Sequence, residues 1–81
     1  MSEITDIQTQ VMLFVKYWVD TKKTIVPQSE IIKALKIQGL KSYTTLYTIK
    51  ALIEKGYIRK AESQYDGRTY YVQIRNISVE K

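Results

Sequence analysis

Residues 42–48, SYTTLYT, form a run of side chains that can make polar contacts. Six of its seven residues carry a hydroxyl, and the seventh, Leu46, is apolar. A hydroxyl can both donate and accept a hydrogen bond, whereas serine, threonine and tyrosine are only moderate helix formers. The run leads into IKALIEKGYI, which has the pattern of the body and end of a helix. We therefore expect a helix whose first two turns carry side chains suited to polar contact, although these residues are only moderate helix formers.

The residue types required for most catalytic or metal chemistry are missing or dispersed. The chain has no histidine and no cysteine, which excludes imidazole bases, histidine or thiolate zinc sites and the common nucleophile pairs within this chain. Its eight acidic residues show no paired or ligand-like spacing, and no glycine-rich phosphate loop occurs. We expect no enzyme activity, no cofactor and no metal.

Charge is unevenly distributed along the 81 residues, a length that suits one small domain. Residues 1–32 hold three lysines and four acidic residues, whereas residues 33–75 hold nine basic and three acidic residues, a balance of +6. A basic region of this kind is typical of a surface that binds a polyanion. A solubilising surface would explain the charge equally well, so charge alone does not decide between them.

Apolar residues at helical spacing predict two helices before the hydroxyl run. Thr5 and Gln8 have the spacing of a capping box, and the apolar stripe that follows them predicts helix one over about 5–21. Phe14 and Trp18 belong to this stripe and are expected in the core. The β-branched run at 24–26 predicts a brief strand that Pro27 should end, with helix two over about 28–37.

The hydroxyl run itself should open helix three, over about 42–55, with Ser42 as its cap and Gly56 just past its end. Two strands of a hairpin are predicted at 57–60 and 68–74, joined by the turn signal at 66–67. Four apolar residues should form the buried side of helix three: Leu46, Ile49, Leu52 and Ile53.

The element order is helix, strand, helix, helix, strand, wing, strand, which is that of the winged helix-turn-helix, a small α+β fold. Residues 28–74 resemble the DNA-binding core of MarR-like regulators, including their small SarA-like relatives, through SEIIKAL, TIKALIEKGYI and RKAESQYDGRTYYVQI. The stretch TTLYTIKAL, followed by GYI and an Asp-Gly-Arg turn, is also similar to PadR-like regulators. The resemblance implies a single winged-helix domain over 1–81, with the helix-turn-helix at about 28–55 and the wing at about 57–74.

In this fold the open side of helix three enters the DNA major groove. With Leu46 directed inward, helical geometry gives the expected contacts on or beside the open side: Ser42, Tyr43, Thr44, Tyr47, Thr48 and Lys50. Threonine methyl groups can also contact thymine methyl groups. The helix has no arginine, asparagine or glutamine, so we expect phosphate contact and DNA shape to carry much of the affinity. Alternatively, the two tyrosines pack on helix one or on a partner subunit.

The hairpin and the ends of the helices supply further expected contacts. Arg68 follows the wing turn and is expected to enter the adjacent minor groove, where narrow A·T tracts attract cations. Five more side chains are expected beside the wing or along the groove: Arg59, Lys60, Tyr65, Lys41 and Lys36.

The leading hypothesis is a sequence-preferring regulator that binds double-stranded DNA as a homodimer. Two recognition helices about 34 Å apart would require a palindromic site. Helix one is the expected interface, through Met12, Tyr17 or Trp18. Related regulators carry additional helices that this chain lacks, so we expect no small-molecule effector.

Two other functions stay open: a plasmid or virus partition or replication accessory protein, and a winged-helix protein-interaction module that does not bind DNA. The absence of cysteine, of a signal peptide and of an apolar run long enough for a membrane span favours a cytoplasmic protein without membrane association.

Overall fold

The computed structural model describes residues 5–61 and 67–75. Their helices and strands are α1 (Asp6–Lys22), β1 (Val26–Pro27), α2 (Gln28–Ile37), α3 (Ser42–Glu54), β2 (Ile58–Lys60) and β3 (Tyr70–Gln73). The three strands pair antiparallel in one sheet, in the order β1-β3-β2. Three helices and a small sheet in this order confirm the predicted α+β class.

Helix α1 begins at the predicted capping box. The Thr5 N–H donates to Gln8 Oε1 at 3.1 Å, and the Gln8 N–H donates to Thr5 Oγ1 at 3.2 Å. The helix ends at Lys22, one residue later than predicted, and the N–H of Lys23 donates to the Val19 carbonyl at 3.0 Å. Both ends of α1 are therefore closed by local hydrogen bonds.

The buried residues of α1 are Val11, Met12 and Val15. Met12 has no exposed surface, so its prediction as part of an exposed dimer interface is wrong. It lies next to Val11 on the helix and about one turn from Val15, so the three side chains share the side that packs on the core. Trp18, in contrast, is partly exposed, and its Nε1–H donates to the Ile25 carbonyl at 3.1 Å.

Strand β1 is shorter and lies later than predicted, and it includes the proline that was expected to end it. Val26 pairs with Tyr71 and Pro27 pairs with Tyr70. Because β1 is an edge strand, a residue without an N–H can be accommodated there. The next N–H, that of Gln28, donates to the Thr69 carbonyl at 2.9 Å and joins the start of α2 to the sheet.

The turn between α2 and α3 is closed by backbone hydrogen bonds. The Leu40 N–H donates to the Leu35 carbonyl at 3.1 Å, and Gly39 has a φ of 90°, a conformation that suits glycine. Helix α3 begins at Ser42 as predicted, but its N-cap is Lys41 and no side chain caps it. The predicted capping role of Ser42 is therefore wrong.

Helix α3 ends just before a second left-handed glycine, and the chain continues from there directly into the hairpin. Gly56 has a φ of 83°, and the Tyr57 N–H donates to the Leu52 carbonyl at 3.0 Å. Strands β2 and β3 then pair with Arg59 opposite Val72. The predicted turn residue Asp66 and the candidate contact residue Tyr65 lie outside the described residues.

The core lies between α1, α2 and α3, and the sheet packs against these helices. Burial raises the pKa of Tyr71 above its ordinary value, because the charged phenolate is disfavoured away from water. The buried hydrophobic residues form one cluster: Val11, Met12, Val15, Val26, Ile31, Leu35, Ile49, Leu52, Tyr57, Ile58 and Tyr71.

None of the helices described here is long and apolar enough to cross a membrane.

Candidate nucleic-acid interface

The inward face of α3 differs from the one predicted. Thr45 has no exposed surface and Thr48 is 8% exposed, whereas Leu46 is 39% exposed. Residues 45, 48, 49 and 52 form the buried stripe, which is rotated by roughly 60° from the expected one. The prediction of Leu46 as a core residue is wrong. The buried position one residue earlier is occupied by a threonine, a smaller side chain, on the side of α3 that packs against α1 and α2.

Thr48 does not face the solvent. Its hydroxyl donates to the Thr44 carbonyl at 2.8 Å, a bond to the preceding turn that is common for threonine within a helix. Its predicted contact with DNA is therefore wrong, because the side chain is buried and its only donor is used within the helix. Thr44 itself is partly exposed.

The outward face of α3 carries Tyr43, Leu46, Tyr47 and Lys50, at positions i, i+3, i+4 and i+7. Tyr43 is 60% exposed and Tyr47 is 72% exposed. The four side chains line a shallow groove with a volume of about 280 Å³. The structure therefore brings three of the predicted contact residues together, and it adds Leu46, which sequence reasoning placed in the core.

The spacing of these four residues could have revealed the outward stripe. Leu46 belongs to two helical patterns, one with Ile49 and Ile53 and one with Tyr43 and Tyr47. The first pattern predicts Leu46 in the core, although an exposed leucine is not unusual in a folded protein. What the sequence does not show is the fully buried Thr45 that takes the core position.

The start of α3 has an open polar edge. Ser42 is exposed, and no side chain caps the first turn. Unpaired N–H groups at a helix N-terminus and the helix dipole together attract anions such as phosphate. The Nζ of Lys41 lies 5.8 Å from the centre of the Tyr43 ring, which places a cation beside the same edge.

The predicted basic contacts are all at the surface wherever the structure describes them. Two ion pairs between described residues, Lys16–Asp20 at 2.7 Å and Lys33–Glu30 at 3.7 Å, involve none of them. In the hairpin, the guanidinium of Arg59 donates to the carbonyl of the next residue at 3.2 Å. The exposed candidates are Lys36, Lys41, Lys50, Arg59, Lys60 and Arg68.

A second concave region lies between the end of α1 and strand β3. Its volume is about 460 Å³, and its lining includes Asp20, Lys23 and the buried Tyr71. The charged residues at this site are of opposite sign, and no cluster of three or more metal-ligand side chains occurs among the described residues. The α3 groove is the stronger candidate site, because Lys50, the charged residue among its described lining residues, is a cation.

A family model described as transcriptional regulator SarA/Rot matches residues 4–81. The chain belongs to the SarA/Rot family of transcriptional regulators. This match confirms the resemblance to SarA-like, MarR-related winged-helix proteins, and it covers both the helix-turn-helix and the hairpin of this family member. Searches of curated proteins and of solved structures found no match to the chain.

Proposed function

We propose that this SarA/Rot family member regulates transcription by binding double-stranded DNA with a sequence preference. Helix α3 would enter the major groove with its outward face, and Arg68 at the wing would enter the adjacent minor groove. The observation that supports this most strongly is the outward face of α3, where exposed tyrosines lie between exposed lysines.

The start of α3 supplies groups for phosphate and base contact. Ser42, Tyr43 and Tyr47 are exposed, and Thr44 is partly exposed. Their hydroxyls can donate to phosphate oxygens or to acceptors on base edges. Since no side chain caps α3, amides of its first turn can donate to a phosphate as well.

Exposed cations on both sides of this face would contact the two DNA strands. Lys36 and Lys41 lie at the end of α2 and before α3, whereas Lys50 lies two turns into α3. Arg59 and Lys60 lie on strand β2 of the hairpin. Each phosphate that a lysine or arginine neutralises releases a bound counterion, so affinity should fall steeply with salt.

We further propose a homodimer formed through α1, with two recognition helices on a palindromic site. Leu13 is 40% exposed and Tyr17 is 58% exposed, and the Phe14 ring lies 6.3 Å from the Tyr17 ring. Tyr17 and Trp18 stay interface candidates, and Leu13 replaces the buried Met12. Light scattering of the full chain at several concentrations measures the mass that this arrangement requires.

A mobility-shift assay on a mixed-sequence duplex, at about 50 mM and about 200 mM salt, tests the DNA-binding proposal. The unaltered chain should bind at low salt and lose affinity at the higher salt. Combining Tyr47→Ala with Arg68→Ala should weaken binding strongly. No binding at low salt, or full binding by the double variant, would contradict the proposal.

The control is Lys16→Ala, which removes one positive charge from α1, as Arg68→Ala does from the wing. Lys16 pairs with Asp20 at 2.7 Å and lies in the acidic part of the sequence. This variant should bind DNA as the unaltered chain does, so a general effect of net charge can be separated from local contact. Footprinting then distinguishes protection of a single palindrome, expected of a regulator, from protection that spreads along repeated sites, expected of a partition protein.

A further inference from the structure

The outward groove of α3 is apolar along its floor and cationic at its ends. Its floor consists of the Leu46 side chain and the rings of Tyr43 and Tyr47, and Lys50 lines one end. Lys41 lies against the Tyr43 ring at the other end, with its Nζ 5.8 Å from the ring centre. An exposed leucine between two tyrosines gives this surface little capacity for hydrogen bonds except at the hydroxyls of the tyrosines.

We propose that this groove recognises thymine through the C5-methyl group that thymine presents in the major groove. The inference rests on the proposed function, because it requires α3 to enter that groove. Thymine is the only common base with an apolar group there, and side chains that pack on its methyl distinguish it from cytosine and from the purines. Leu46, 39% exposed, is the specificity-determining residue.

The composition of α3 supports readout by apolar contact. Residues 42–54 include no arginine, asparagine or glutamine, the side chains that read guanine or adenine with two hydrogen bonds. Of the threonines, Thr45 is fully buried and the Thr48 hydroxyl is bonded to the Thr44 carbonyl. Among the large hydrophobic side chains of this helix, the exposed ones are the two tyrosines and Leu46.

The charges around the groove favour DNA over a protein partner as its occupant. Lysines stand at both ends of the apolar floor, and the described residues that line it include no acidic one. The DNA major groove has the complementary pattern, with base edges and thymine methyl groups between two rows of phosphates. A thymine-rich duplex thus matches both the apolar floor and the cationic ends.

The test compares two duplexes of about 30 base pairs, roughly three helical turns. One is alternating adenine and thymine, and the other has uracil in place of every thymine. Uracil differs from thymine only by the missing C5-methyl, so the minor groove and the phosphates are unchanged. The full chain should bind the thymine duplex more tightly, by about fourfold for each methyl group that leaves the groove.

Two variants of exposed aliphatic residues serve as probe and control. Leu46→Ala should bind the two duplexes almost equally. Ile74→Ala, at an isoleucine 53% exposed just after β3, should keep the preference of the unaltered chain. Circular dichroism at the assay temperature verifies that both variants are folded.

Equal affinity of the unaltered chain for the thymine and uracil duplexes would overturn this inference and leave DNA binding intact. Absence of binding to either duplex at low salt would instead overturn the proposed function, and the inference with it. If Leu46→Ala keeps the thymine preference but lowers the mass measured by light scattering, the groove binds another protein chain and the inference is wrong.

Discussion

The inward and outward faces of α3 have the same spacing but are built from different residue types. The inward stripe is at 45, 48, 49 and 52 and the outward stripe is at 43, 46, 47 and 50, about 160° apart around the helix. Two threonines lie on the inward stripe, whereas a leucine and two tyrosines lie on the outward one. On this helix, polarity alone does not decide which side chains are buried.

The two faces of α3 differ in residue type because only the inward one has to pack against other helices. The inward face must fit against α1 and α2, and small β-branched side chains suit a close contact even though they carry a hydroxyl. The outward face has no such restriction and retains large side chains at the surface. An outward leucine between tyrosines takes nothing from core packing, which leaves its side chain open for the proposed contact with thymine.

Leucines on the two faces should differ in their contribution to stability. Leu52 is fully buried and Leu46 is 39% exposed. Leu52→Ala should lower the free energy of unfolding by about 2–5 kcal/mol, because it leaves a cavity. Leu46→Ala should lower it by about 1 kcal/mol. Urea denaturation followed by circular dichroism measures both, and equal losses would contradict the assignment of the two faces.

The cation of the outward face should influence DNA binding without affecting the fold. Lys50 is exposed and is proposed to contact a phosphate. Lys50→Ala should weaken binding about tenfold at low salt and reduce the slope of log affinity against log salt by about 1. Its free energy of unfolding should change by less than about 0.5 kcal/mol. An unchanged slope would show that Lys50 does not contact DNA.

The two inward threonines should respond differently to removal of the hydroxyl. The Thr45 hydroxyl is buried without a hydrogen-bond partner among the described residues, whereas the Thr48 hydroxyl bonds to the Thr44 carbonyl at 2.8 Å. Thr45→Val should raise the free energy of unfolding by about 1 kcal/mol, because it removes an unsatisfied polar group. Thr48→Val should not raise it. A destabilised Thr45→Val variant would indicate that the hydroxyl has a partner in solution.

The buried Tyr71 should make the free energy of unfolding depend on pH in the alkaline range. Because burial raises the pKa of Tyr71 in the folded state, the unfolded state loses its proton first as the pH passes about 10. Stability from the neutral phenol is complete below that pH and is lost as the pH rises through the folded pKa. The free energy of unfolding should therefore fall less in Tyr71→Phe than in the unaltered chain between about pH 8 and about pH 10.5.

Tyr47→Phe is the matched control for this comparison, because Tyr47 is 72% exposed. Its unfolding free energy should follow that of the unaltered chain over the same pH range. A Tyr71→Phe variant that behaves in the same way would show that the Tyr71 phenol is not held neutral by the fold. Urea titrations at each pH give the values.

Local patterns in the sequence predicted much of the fold. The capping box at Thr5 and Gln8, the bounds of α2 and the glycine after α3 were all marked by short-range signals. Such features depend on hydrogen bonds within a few residues, so they can be inferred before the packing is known.

Features set by packing were harder to predict. Thr45 and Leu46 are neighbours that both satisfy a helical pattern, and only the contacts of α3 with α1 and α2 decide which one is buried. Met12 is buried for a similar reason, beside Val11 on α1. Pro27 pairs in the sheet because β1 lies at its edge, a position that the sequence does not reveal.

The edge position of β1 also affects how copies of this protein behave when they are crowded. An exposed strand edge can recruit a strand from another molecule and start an aggregate. Here one edge strand has two residues, one of them a proline without an N–H, and the other edge strand carries the charged, exposed Arg59 and Lys60. Short, charged or proline-bearing edges discourage such pairing. Crowded copies of this protein should therefore not join through their sheets.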